Sequence, residues 1–245
     1  MQVKNNVSYS GNVNFGHNNP WADSPYNKRE KFIIAGTTAL GVAGTLALLA
    51  KHQGYSLAPS KMFKDYKKSW YHNAEFCDEK PVITIGLGSS LGGLAGGYIV
   101  DKDSENRKAK LREAILQVVN VSLPIIFTVN AAKLGKNFGK KYIEKGSKET
   151  LRTKIPKAIG GLTGLFVGVF CANLAANKLN EKLFNRGKGR PVQASDFSAH
   201  LDDFVVAAKQ ISDNKFTKAV SRFIPLALMV AGNEVGNTCT KNVDS

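Results

Sequence analysis

Ala158 to Asn177 reads AIGGLTGLFVGVFCANLAAN, twenty residues without one charged side chain. At about 1.5 Å per residue such a helix just covers a hydrocarbon core of about 30 Å. Every fourth position is small: Gly160, Gly164, Gly168, Ala172 and Ala176. Four-residue spacing sets them on one helix face, where a second helix can approach almost to backbone contact. Lipid removes the hydrophobic drive between helices, so close contact of this kind replaces it. The chain is therefore read as all-α, a multi-pass membrane helical bundle of four or five spans packed through Gly/Ala small-xxx-small faces.

Two further runs repeat the pattern. Residues 32–50, FIIAGTTALGVAGTLALLA, carry Thr37, Gly41 and Thr45 on one face. Residues 82–100, VITIGLGSSLGGLAGGYIV, carry two parallel rows, Gly88-Gly92-Gly96 and Ser89-Gly93-Gly97. Glycine costs a helix about 1 kcal/mol relative to alanine, which close packing can offset. Residues 114–132 differ, because Gln117, Asn120, Pro124 and Thr128 fall together as a polar stripe centred on a proline. A fifth candidate, 218–236, surrounds the short apolar run from Phe223 to Gly232. Arg222 and Glu234 bound that run, about 18 Å apart along a helix.

The segments between these runs are polar or basic. Residues 1–27 are rich in Asn, Gly and Ser and read as a disordered tail, and 238–245 form a C-terminal tail. Residues 28–237 form the membrane-helical domain. Residues 195–213 fit an amphipathic helix with Phe197, Leu201, Phe204, Val205, Ala208 and Ile211 on one face.

Net charge is +15, from 34 Lys and Arg against 19 Asp and Glu, and it sits in the linkers flanking the apolar runs. That placement favours anionic lipid head groups over nucleic acid as the partner. The 133–157 linker holds nine Lys and Arg against Glu144 and Glu149. The positive-inside rule puts such a linker on the cytoplasmic side. With five spans this sends the basic cluster Lys28, Arg29, Lys31 to the other side, so the sequence leaves orientation open. Small-residue faces also admit a homo-oligomer.

Chemical motifs are sparse. Gly88-Ser89-Ser90-Leu91-Gly92 matches the G-x-S-x-G of a nucleophile elbow, with VITI before it as a conceivable strand. The glycine rows explain the same residues, so no catalytic residue is assigned and no enzyme is expected. Cys77, Cys171 and Cys239 and the four histidines are scattered without metal-ligand spacing, and no cofactor or metal is expected. Two functions remain in view. One is a non-enzymatic membrane protein with a structural, assembly or membrane-organising role. The other is a small transporter or channel with Gln117, Asn120, Thr128 and Glu234 along its path. A third reading keeps the chain soluble, with the apolar runs as core helices beneath a basic surface.

Overall fold

The structure, a computed structural model, describes residues 25–58, 60, 79–143, 147–184 and 223–239. Helix α1 spans Lys28–His52, α2 Glu79–Val100, α3 Ser104–Tyr142, α4 Ile155–Phe184 and α5 Ile224–Asn237, with a π-helical turn at Thr150–Lys154 leading into α4. Local chemistry sets several of these ends. Asn27 and Glu30 form a capping box on α1, each side chain accepting the other's backbone N–H at 3.0 and 2.9 Å. Asp103 caps α3 by accepting from the Glu105 amide at 2.9 Å. Gly54 turns the chain off α1 at a φ of +87°, which a side chain would resist.

The described residues are helical throughout their elements, and α1 to α4 are each long and apolar enough to cross a membrane. The bundle is thus an all-α architecture with four candidate spans, which contain the expected runs 32–50, 82–100, 114–132 and 158–177.

Helix α2 lies at the centre. Its row Gly88, Gly92, Gly96 abuts Thr45, Gly41, Thr37 and Ile34 of α1, so these two helices run antiparallel. Its row Ser89, Gly93, Gly97 abuts Gly232 and Gly236, so α5 runs parallel to α2. Gly86 and Gly97 meet Val121 and Lys110 of α3, again antiparallel. One helix thereby addresses three neighbours through faces that carry almost no side chain. A Cβ added at Gly41, Gly92 or Gly93 would collide with a backbone carbonyl across the interface.

Helix α4 packs on α3 in the same manner. Gly160 lies against Ala131, Gly164 against Phe127 and Ala131, and Gly168 against Pro124. Ala172 and Ala176 continue the row and are fully buried. Gly135 and Gly139 of α3 return the contact at Pro156 and Arg152. The threonines that α1 brings to its contact with α2 do not carry unmet hydroxyls into the interface. Thr37 and Thr38 donate to the Ile34 carbonyl at 3.0 and 2.8 Å, and Thr45 donates to the Gly41 carbonyl.

These pairings define two ends. Helices α1 and α3 begin at the proximal end, and α2, α4 and α5 finish there. An apolar core of Val42, Val82, Ile85, Ile125, Val129, Ile224 and Leu228 fills the distal half.

The ends of the chain differ from expectation. Of the candidate fifth span 218–236, the described part is α5, 14 residues and about 21 Å long; residues 218–222 lie outside the described part. The tail does not extend to residue 27, since Tyr26 is tied to α2 and α3. Nor is the C-terminal segment free from 238, because the Thr238 carbonyl accepts from Lys110 and Cys239 is buried. The amphipathic helix expected at 195–213 lies outside the described residues, as do Cys77, His200 and most of the 51–80 linker.

Candidate functional site

The proximal half of the bundle is polar inside. Lys110 has no solvent exposure, and Asp101 is 8% exposed. The Lys110 ammonium donates to the Tyr26 hydroxyl at 2.6 Å and to the Thr238 carbonyl, and lies 3.6 Å from Asp101 Oδ2. Tyr26 in turn donates its hydroxyl to Asp101 Oδ2, and the Asp103 amide donates to Asp101 Oδ1 at 3.0 Å. Gly97 makes room for this arrangement, because a Cβ there would sit 2.7 Å from Lys110 Cδ. The cluster joins the start of α1, the α2–α3 corner and the end of α5.

The electrostatics of the corner are set by those contacts. Burial pushes the Asp101 carboxyl up, but the Tyr26 hydroxyl, the Asp103 amide and the Lys110 ammonium together hold it below the usual carboxylate value. Burial first, then the bond to Asp101, drives the Tyr26 hydroxyl well above its ordinary value, so it stays a neutral donor. Arg107 closes the end of α2 by donating to the Asp101 and Tyr98 carbonyls at 2.9 and 3.0 Å. Those carbonyls have no partner within their own helix, and this satisfies them.

A second polar contact lies one helical turn deeper. Gln117 Nε2 donates to Glu113 Oε1 at 2.9 Å and to Glu234 Oε2 at 3.2 Å. Both carboxylate oxygens reach the same nitrogen, so they lie at most about 6 Å apart. Two acids at that separation repel unless a proton or a positive charge sits among them.

Among the residues expected on a polar path, Gln117 and Glu234 are thus brought together. Asn120 and Thr128 sit further along the same face of α3, both buried. Thr128 Oγ1 finds no hydrogen-bond partner among the described residues, and neither does the Asn233 side-chain amide. Lys110 and Glu113 escaped the sequence reading because they stand in a run of charges. The available signal was spacing: 110, 113, 117, 120, 124 and 128 advance by three or four and share a face.

The G-x-S-x-G match has no elbow geometry. Gly88 to Gly92 lie inside α2, Val82 to Ile85 are helical, and Ser90 is buried. Its neighbour Ser89 instead donates across to the Leu228 carbonyl at 2.7 Å, fastening α2 to α5. Among the described residues no group of three or more His, Cys, Asp or Glu is placed to hold a metal ion. No protein-family model, curated protein or solved structure matches this chain.

Proposed function

We propose that this chain is an integral membrane protein with a structural, assembly or membrane-organising role, exercised through closely packed helices and not through catalysis. The observation that supports it most is the threefold use of α2, whose glycine faces meet α1, α3 and α5 at close quarters, with α1 and α5 backbone against backbone. Apolar residues such as Phe32, Leu40, Phe166 and Phe170 are turned outward, as lipid requires. The Gly88, Gly93 and Gly160 rows are occupied within the chain, so a homo-oligomer would use the outward faces. Alkaline carbonate extraction tests the reading: the protein should stay in the membrane pellet, and release into the supernatant would end it.

The contact of Gln117 with both Glu113 and Glu234 favours a second reading, a small transporter or channel. On this reading the α3 face from Glu113 past Asn120 to Thr128 is the path, and the paired acids bind its cation or proton. Reconstituted protein should then pass ions, and Asn120→Leu or Glu234→Gln should stop the flux. A change in stability or assembly alone would leave the structural role standing.

A further inference from the structure

The distal tip of the α3–α4 hairpin continues well past the uncharged segments of both helices. Helix α3 has 39 residues, about 58 Å, of which only Ala114 to Ala132 are free of charge. Lys133 to Tyr142 therefore continue for about 15 Å beyond the apolar run. The interfacial zone of a leaflet is only about 5–8 Å deep. The π turn and the first turns of α4 travel alongside, held by Gly135 and Gly139 against Pro156 and Arg152.

This tip combines two features. Leu134, Phe138 and Tyr142 form one exposed row, 62% exposed or more, and Leu151, Ile155 and Ile159 form another on the neighbouring helix. The Phe138 and Tyr142 rings meet at 4.6 Å between centroids, tilted by 39°, and the Lys141 ammonium lies 5.0 Å from the Tyr142 ring. Around these rows stand Lys133, Lys136, Lys140, Lys141, Lys148, Arg152, Lys154 and Lys157, with Glu149 the one acid among the described residues there. The proximal end is different in kind. There Lys110 meets Asp101, Lys108 meets Glu105 at 2.8 Å and Arg107 donates to two carbonyls, whereas at the tip Arg152 donates to the Lys140 carbonyl at 3.4 Å.

We infer that the distal tip is a docking surface for anionic phospholipid head groups of the leaflet it leaves, the lysine ammonium groups on the phosphates and the apolar rows packed against the head-group layer. The inference rests on the membrane reading above and names its partner. Aromatic and aliphatic residues in the interfacial zone, ringed by ammonium groups, suit that layer. Basic residues near an anionic surface each add to the attraction, so a cluster of this size discriminates between charged and neutral head groups.

The test is spin-label lipid selectivity of the full chain in vesicles, comparing labelled phosphatidylserine with labelled phosphatidylcholine. The expected result is a several-fold preference for phosphatidylserine. It should fall close to parity when Lys133→Gln, Lys140→Gln, Lys141→Gln and Lys154→Gln are combined, all at exposed positions. Lys28→Gln with Arg29→Gln, at the proximal end, should leave it in place. Parity in the unaltered chain, or a preference unmoved by the four tip changes, overturns the proposal. So does parity joined to tight binding of duplex RNA through the same lysines. Carbonate extraction of the same samples separates the two failures: a chain retained in the membrane without lipid preference loses only this inference, whereas a released chain loses the membrane reading.

Discussion

Gly93 of α2 and Gly232 of α5 face each other so closely that a single added methyl on Gly93 would strike the Gly232 carbonyl. No rotamer can relieve that collision, because both sides are backbone.

Gly93→Leu should therefore part α5 from α2. Overpacking of a well-filled core costs about 1–3 kcal/mol, and the rigidity of this contact sets the expectation at the upper end or above. Gly36→Ala is the control, since nothing lies within 4 Å of a Cβ there. It should be neutral or stabilise by up to about 1 kcal/mol. Thermal unfolding in detergent measures both, and equal effects would count against the assigned interface.

Lys110→Met should destabilise by about 3–5 kcal/mol, because it leaves Asp101 buried beside a hydroxyl and without its counter-charge. Adding Asp101→Asn should recover part of the loss. A double-mutant cycle should yield a coupling of at least about 1 kcal/mol. Strict additivity would deny the pair.

Asp101 also fixes an acid dependence. Its carboxyl titrates lower in the fold than in the unfolded chain. The stability it contributes is present above the unfolded value of about 4 and lost as pH falls through the folded value below that. Tyr26 acts in the opposite sense: its folded value is raised, so its contribution is full below about pH 10 and is lost above it. Melting temperatures across pH should show both limbs. Asp101→Asn should flatten the acid limb and Tyr26→Phe the alkaline one; variants that track the unaltered chain at both extremes would refute this assignment.

Cys239 is 2% exposed and packed near Tyr26 and Lys110. A water-soluble maleimide should leave it unmodified in the folded protein and label it after denaturation, read by peptide mass spectrometry. Rapid labelling under native conditions would mean that the proximal corner opens.

The four long helices were legible because length and absence of charge leave a chain few alternatives once it meets lipid. The faces were legible too, since spacing alone sets Gly88 with Gly92 in one row and Ser89 with Gly93 in the next. What spacing cannot supply is the address. Two rows one residue apart on α2 serve different helices, and only the tertiary arrangement assigns Gly92 to α1 and Gly93 to α5. Helix α5 misled for a related reason. Arg222 and Glu234 resemble the charged bounds of a span, yet Glu234 is drawn to Gln117 instead of to a bilayer face. Lys110 and Glu113 stayed hidden because an inward-facing charge inside a run of charges carries no local mark.

The parallel docking of α5 on α2 also has a bearing on how the protein is made. Helices α1 to α4 leave the ribosome first, and until residues 224–237 follow, the Ser89-Gly93-Gly97 groove lacks α5 and Lys110 lacks the Thr238 carbonyl. Assembly thus closes from the last helix inward. A nascent chain halted before α5 would hold all four long helices and still present an open, polar-ended slot to the insertion and quality-control machinery.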